Sequence, residues 1–262
     1  MWKQLRIPIG VSDFRKIREN DYYYMDKSGL IEELLKTDAT EVTLLIRPRR
    51  FGKTLGMSML DNFLDIRKDS RYLFSGLKIS QNQELCRKWM NQWPTLFLSF
   101  KDVDGSTFEN AMGLLKFTLS QICIEHQYLE ESSRVNPAYK QIFTRLKEQT
   151  GTFTDVQSSL LVLMRMMKEY YKKPVILLLD EYDVPMAKAS SNGYYEKMLE
   201  VIKTMVSRKE SELERGCEKV LVQIQDRQYR KKIEASGFKT VLSYGIAFFQ
   251  KSCRIEREKK NI

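Results

Sequence analysis

An apolar run that enters a short basic loop and then a helix-like segment constrains this chain more than any other feature. Residues 42–46 (VTLLI) have the composition of a strand, and the loop after them ends in Gly52-Lys53-Thr54. A glycine there lets backbone N–H groups approach a phosphate, and the start of the following helix offers partial positive charge and free N–H donors. Lys53 can reach the terminal phosphates of a nucleotide, and the Thr54 hydroxyl can ligate Mg²⁺. This order predicts a phosphate-binding loop, with a plain helix N-terminus as the alternative.

The loop departs from the general G-x-x-x-x-G-K-[ST] pattern at its first glycine, where this chain has Arg47. Pro48, Arg49, Arg50 and Phe51 fill the remaining positions. A short G-K-T sequence also occurs by chance, so the prediction depends on the strand and the helix on either side of the loop.

A second apolar run, residues 175–179 (VILLL), leads directly into Asp180 and Glu181. A continuous apolar run of this length is typical of a strand buried in a parallel sheet, and ligands bind at the carboxyl ends of such strands. Asp180 would hold Mg²⁺ through water, as a Walker B acid does, and Glu181 would polarise the attacking water. The alternative is a strand that ends in a polar turn, and for Asp183, which precedes Pro185, we prefer that interpretation.

Three blocks of sequence resemble the predicted AAA-ATPase-like family of bacterial proteins. They are IPIGVSDFRKIRENDYYYMDKSGLIEELL, LLIRPRRFGKTLGMSML and PVILLLDEYDVPM. The family's loop typically has this RPRRFGKT form, so Arg47 departs from the general motif but not from the family. The resemblance extends over residues 7–207. It implies a P-loop NTPase that uses ATP and Mg²⁺, and many members carry a C-terminal nuclease domain of the PD-(D/E)xK type.

The motifs and the resemblance together give one set of candidate site residues. Glu181 is the catalytic candidate, and Thr54 and Asp180 are the candidate metal ligands. Arg49 and Arg50 would shield the γ-phosphate or pair with local acids. The expected nucleotide-binding residues are Arg49, Arg50, Phe51, Gly52, Lys53, Thr54 and Leu55.

The resemblance changes after residue 207. Residues 208–216 look like a junction, and residues 217–256 resemble the end of the nuclease domain, with a helix over 218–236, a glycine cap and a strand over 240–249. The nuclease acids that should precede this tail have no counterpart, which indicates an internally deleted chain. Metal-assisted phosphodiester cleavage needs such carboxylates, so we expect no nuclease activity.

Charge, cysteine and histidine content and hydropathy indicate which partners and which location to expect. The net charge of +10 is compatible with nucleic-acid binding. The basic residues of the tail are interleaved with acids and favour a solvated helix face; they are Arg227, Arg230, Lys231, Lys232, Arg254, Arg257, Lys259 and Lys260. The four cysteines form no C-x-x-C pair and read as reduced thiols, and the one histidine, His126, is expected on the surface of a helix. No apolar run reaches the length of a membrane span and no secretion signal precedes the first motif, so we expect a cytoplasmic protein without a membrane partner.

The periodicity of apolar residues predicts an α/β protein. Helices are expected over 14–19, 28–35, 109–129, 139–147, 155–171 and 194–206, a second strand over 95–100, and a polar connection over 71–79. Helices alternating with strands favour the three-layer αβα parallel sheet of P-loop NTPases, here incomplete, with a short helix–strand remnant at the C-terminus. Tyr22, Tyr23 and Tyr24 would either pack the N-terminal arm or cover a nucleotide base, and Lys27 is a further phosphate candidate.

These observations predict an ATP-binding, Mg²⁺-dependent AAA-ATPase-like protein with weak or no hydrolysis. The alternatives are a non-catalytic ATP-binding module, a non-functional fragment of an ATPase–nuclease fusion, and a nucleic-acid-associated protein. The oligomeric state is not predicted.

Overall fold

The elements of the chain are mostly helices. A computed structural model describes residues 6–35 and 52–206, and the backbone of 240–249 and 252–261. The helices are α1 (Phe14–Glu19), α2 (Gly29–Leu35), α3 (Lys53–Leu64), two short 3-10 helices (Arg71–Phe74 and Lys78–Gln81), α4 (Gln83–Trp89), α5 (Phe108–Glu125), α6 (Tyr128–Glu131), α7 (Pro137–Lys147), α8 (Phe153–Tyr171), α9 (Asp183–Ser191) and α10 (Tyr195–Val206). The strands are β1 (Thr95–Ser99), β2 (Ile176–Asp180), β3 (Thr240–Phe249) and β4 (Ser252–Asn261).

A small parallel sheet lies at the centre of the fold. β1 pairs in parallel with β2, from Thr95 opposite Ile176 to Ser99 opposite Asp180, and helices α5 to α8 form the connection between them. Both predicted strands are therefore confirmed to within one residue at each end. The predicted strand over 42–46 lies outside the described residues. The architecture is mixed α/β, and the larger three-layer sheet stays a prediction.

Helices pack against both faces of this strand pair. Leu96 and Leu98 of β1 belong to an apolar cluster with α5, α8 and α10, whereas Phe97 packs against a second cluster formed by α1, α3 and the two 3-10 helices. Side chains alternate between the faces of a strand, so consecutive apolar residues require a cover on each side. This explains the run of five apolar residues at β2 and the run of three, Leu96 to Leu98, in β1.

Helix α3 is fixed to its surroundings along its length. Its Ser58 hydroxyl accepts a hydrogen bond of 3.0 Å from the backbone N–H of Phe14. At its C-terminal end, the side-chain amide of Asn91 donates to the carbonyl oxygens of Asn62 (3.0 Å) and Asp65 (2.9 Å). These bonds satisfy carbonyl groups that a helix end leaves unpaired. Helix α3 is therefore held at its centre and at its C-terminal end.

A buried polar network lies beyond the end of α3. The Asp65 carboxylate, which is fully buried, pairs with Arg67 at 2.7 Å. The Arg67 guanidinium also lies 3.4 Å from Nδ1 of His126, and the Tyr128 hydroxyl lies 3.1 Å from the same nitrogen. His126 is 1% exposed, so the prediction of a surface histidine is wrong. Helix α5 ends at Glu125 instead of continuing to residue 129, and His126 becomes its cap.

Two further predictions from sequence are wrong. The connection over 71–79 contains the two 3-10 helices, and its Leu73, Phe74, Leu77 and Ile79 are buried in the cluster beneath α3. Their spacing matches neither a helix nor a strand, so periodicity missed them. Asp183 begins helix α9 instead of lying in a turn, and its negative charge in the first turn complements the helix dipole.

The C-terminal strand over 240–249 is confirmed, with bounds as predicted. It pairs in antiparallel register with β4, from Thr240 opposite Asn261 to Phe249 opposite Ser252. The expected helix face for Arg254, Arg257, Lys259 and Lys260 is therefore wrong, because these residues belong to β4. The predicted helix over 218–236, its glycine cap and the junction over 208–216 lie outside the described residues, so the domain boundaries stay predictions.

Among the helices of the described residues, none combines the length and the apolar character that crossing a membrane requires.

Asp155 should contribute pH-dependent stability. It is 5% exposed and accepts two hydrogen bonds from the Arg145 guanidinium, of 2.7 and 2.9 Å. This pairing, together with hydrogen bonds from Thr152, lowers the pKa of Asp155 to about 2. Because the unfolded-state pKa is about 3.9, the stabilisation is present above that pH and is lost as the pH falls through the folded-state pKa.

We therefore expect the stability difference between the parent chain and an Asp155→Asn variant to shrink as the pH falls from about 5 to about 2. Urea unfolding at a series of pH values measures this difference. Asp102→Asn, at an exposed position, is the matched control and should show no such trend. A pH-independent difference for Asp155→Asn would contradict the assignment.

Candidate functional site

The start of α3 and the carboxyl end of β2 meet in space. The Thr54 hydroxyl donates a hydrogen bond of 3.3 Å to Oε1 of Glu181, across 127 positions of sequence. It also lies near Asp180, where its dipole lowers the pKa of that carboxyl. The structure therefore brings together the three residues that the sequence nominated for the metal and for water activation.

Asp180 is a buried acid with one unpaired oxygen. Its side chain is 3% exposed, and no hydrogen-bond partner for Oδ2 is present among the described residues. Burial is the largest effect and raises the pKa of Asp180. The nearby Thr54 hydroxyl and the charge of Lys53 lower it, the charge of Glu181 raises it, and the net shift is upward. A buried carboxylate oxygen without a partner is costly unless a cation or a donor binds it.

Glu181 has a left-handed backbone conformation, with φ of 51°. This region is unfavourable for a residue with a side chain and costs on the order of 1 kcal/mol or more. The strain arises where β2 ends and the chain turns into α9, in a tight turn closed by a hydrogen bond from the N–H of Val184 to the carbonyl of Glu181 (3.0 Å). The turn directs the Glu181 carboxylate toward Thr54.

Gly52 caps α3 in a conformation that suits glycine. Its φ is 76°, and its carbonyl accepts from the N–H of Gly56 at 2.9 Å. Lys53, Thr54 and Leu55 are the first residues of the helix, where backbone N–H groups have no partner within the helix itself. The Leu55 side chain packs into the apolar cluster beneath α3, so only its backbone faces the expected ligand.

The remaining candidate residues are those of the basic loop before Gly52 and the tyrosines of the N-terminal segment. Arg49, Arg50 and Phe51 lie outside the described residues, and their roles stay predictions. Of the three tyrosines, Tyr24 packs edge-on against Phe14 with ring centroids 5.4 Å apart, which favours a packing role. Burial raises the pKa of Tyr24.

A polar cleft of about 330 Å³ opens beside Thr54 and follows α3. Ser58 and Asn62 continue the line of Thr54 at intervals of four residues, and Phe97 forms part of the wall. The Asn62 side chain is 4% exposed and its Oδ1 has no partner among the described residues. Sequence analysis missed these residues, although polar side chains spaced by four on an otherwise apolar helix were a visible signal.

The donor set at the meeting point of α3 and β2 suits Mg²⁺ bound with a nucleotide. The Thr54 hydroxyl and the unpaired Asp180 oxygen are hard oxygen ligands, and Mg²⁺ commonly takes one or two protein oxygens plus phosphate oxygens. The adjacent helix N-terminus, with Lys53, suits the phosphates. The residues present therefore fit the pair of ligands that the sequence predicts.

Comparison with known proteins agrees with the sequence resemblance. The model of the predicted AAA-ATPase family matches residues 8–222, a span that crosses the predicted junction at 208–216. The uncharacterized protein in the vnfD 5′ region of Azotobacter chroococcum mcd 1 is 30% identical over 182 residues. The aligned segment covers 69% of this chain but 30% of that protein, so the chain spans less than a third of its relative. No solved structure matches this chain. Because the family match covers most of the chain and includes both motifs, the chain belongs to the family of predicted AAA-ATPases.

Proposed function

We propose that this chain binds ATP together with Mg²⁺ at the N-terminal end of α3, and that it hydrolyses the nucleotide slowly or not at all. The observation that carries the proposal is the hydrogen bond of Thr54 with Glu181, next to Asp180, whose buried Oδ2 has no partner among the described residues. Family membership supports nucleotide binding in general. Weak turnover is a sequence-based expectation, because the strands expected after the Walker B region have no counterpart before residue 217.

Each residue has a separate role in this proposal. Lys53 and the free N–H groups of α3 neutralise phosphate charge. Thr54 and Asp180 would hold Mg²⁺, which supplies further charge neutralisation on the phosphate oxygens. Glu181 accepts a proton from water or orients it, and its fixed turn holds the carboxylate in place.

The alternative functions make different demands on the site. A non-catalytic binding module needs the same phosphate contacts but gives no turnover. A nucleic-acid-associated protein would draw on the net charge of +10, which lies partly in the strand β4.

We expect no nuclease activity. Incubation of the protein with plasmid DNA and Mg²⁺ or Mn²⁺ tests this, since cleavage that follows the protein through purification would contradict it.

The main experiment is a titration of the purified chain with a fluorescent ATP analogue, with Mg²⁺ and with EDTA. Saturable binding that is tighter with Mg²⁺ supports the proposal. The same experiment on Asp180→Asn should lose most of the Mg²⁺ dependence, because the charged metal ligand is removed. Absence of saturable binding by the parent chain would refute the proposal.

Glu181→Gln should separate binding from hydrolysis. The amide keeps the size of the side chain but cannot accept a proton, so ATP affinity should remain and Mg²⁺-dependent phosphate release should fall by about tenfold, to background. Steady-state phosphate release measures this effect, and Glu196→Gln, on α10, is the matched control. Equal release above background by the parent chain and by Glu181→Gln would show that Glu181 has no part in hydrolysis.

A further inference from the structure

A lysine from the N-terminal part of the chain lies at the start of α3. The ammonium nitrogen of Lys27 is 3.5 Å from the point that a Cβ on Gly52 would occupy. Lys27 is exposed, and with the described part of the chain its ammonium forms no hydrogen bond or ion pair. A flexible, strongly hydrated side chain such as lysine would otherwise extend into water, so its place beside the capping glycine calls for an explanation.

The backbone on either side of Lys27 is held in place. The Asp26 carboxylate accepts hydrogen bonds from the N–H groups of Ser28 (2.8 Å) and Lys78 (2.7 Å). The Ser28 hydroxyl, on a fully buried residue, accepts from the N–H of Ile79 at 3.1 Å. The 3-10 helix that contains Lys78 thus fixes residues 26–28, and with them the origin of the Lys27 side chain.

The arrangement concentrates positive charge at one point. Lys27, Lys53 and the N-terminal end of the α3 dipole surround Gly52, and like charges this close repel one another. A polyanion at that point would remove the repulsion and bind to all three. Asp180, whose buried Oδ2 has no partner among the described residues, lies near Thr54 and Lys53 at the same helix N-terminus and independently indicates a cation there, as the Mg²⁺ of a nucleotide complex would be.

We propose that Lys27 is a second phosphate-binding lysine, which contacts the phosphate chain of a nucleotide beside Gly52 at the start of α3, and that Asp26 positions it. The inference rests on the proposed function and extends it to the N-terminal segment. Binding would then join residues 26–28 to the start of α3 through the ligand. The chemistry recognised is a chain of phosphates, so the nucleoside should contribute little to this contact.

The inference is tested with two probes. The first is a fluorescent ATP analogue, and the second is inorganic tripolyphosphate, measured by its competition with a fluorescent polyanion. Lys27→Ala should weaken the binding of both by about fivefold, because an exposed charge-assisted contact to phosphate is lost, and Lys27→Arg should restore most of it. AMP, with one phosphate, should bind equally to the parent chain and to Lys27→Ala. Without ligand, Lys27→Ala should unfold at a temperature no lower than that of the parent chain, since the Lys27 ammonium forms no hydrogen bond or ion pair with the described residues and its removal relieves the like-charge repulsion.

Lys168→Ala is the matched control. Lys168 is also exposed, but it lies near the end of α8, which precedes β2, and therefore at the sheet edge opposite Asp180. If Lys27→Ala binds both probes as tightly as Lys168→Ala does, the inference is overturned while ATP binding stands. If tripolyphosphate binding depends on Lys27 and ATP does not bind, the inference stands and the proposed function fails.

Discussion

The Lys53→Ala variant should bind ATP about ten- to a hundredfold more weakly than the parent chain. Lys53 is the first residue of α3, directly after the capping glycine, and its charge acts on Asp180 across the site. Removal of a charge-assisted contact to phosphate at a helix N-terminus costs about 1.5–3 kcal/mol, which gives this range. Titration with a fluorescent ATP analogue measures the change.

Two controls make the Lys53 result interpretable. Lys168→Ala removes an equal charge far from the site and should leave affinity unchanged. An unaltered circular dichroism spectrum and thermal midpoint would establish that Lys53→Ala is folded. Unchanged ATP affinity in a folded Lys53→Ala variant would overturn the phosphate-loop assignment.

Acidification should destabilise the parent chain through a single histidine. Burial and the neighbouring Arg67 charge lower the pKa of His126 to about 3. Between that value and the unfolded-state pKa of about 6.5, His126 is protonated in the unfolded chain and neutral in the folded chain. The free energy of unfolding therefore falls as the pH falls through this window. From pH 6.5 to 4.5 the loss is about 2 kcal/mol.

The His126→Gln variant isolates this effect, because the sequence contains no other histidine. Its amide can accept a hydrogen bond from Arg67 or Tyr128 but does not titrate. Chemical denaturation of both proteins at several pH values should show a stability loss in the parent chain that the variant lacks. If the free energies of unfolding of the two proteins changed equally with pH over this window, His126 would be protonated without cost in the folded protein.

Much of the described fold could be predicted from the sequence, because its elements carry strong local signals. Five apolar residues that end in an acid gave β2, and the strand over 240–249 has the bounds that the sequence predicts. The errors arise where tertiary context decides. His126 is polar, yet Arg67 and Tyr128 supply partners that permit its burial.

The candidate site was predictable to a similar extent. The carboxyl ends of parallel strands and the helix after a phosphate loop meet by a general rule of α/β folds, and Thr54, Asp180 and Glu181 follow it. Their chemical roles remain predictions until the variants are measured. The left-handed conformation of Glu181 and the approach of Lys27 to Gly52 depend on distant segments, and no local pattern in the sequence contains that information.

The anchoring of α3 has a consequence for ligand selectivity. The helix is bound to Phe14 at its centre and to Asn91 at its C-terminal end, so its axis has little freedom to tilt or slide. Its N–H groups therefore present the same electric field to every anion, and a ligand loses little entropy in ordering them. If a phosphate chain binds there as proposed, discrimination between a diphosphate and a triphosphate would depend on the side chains around Gly52, because contacts outside the site set the position of the helix.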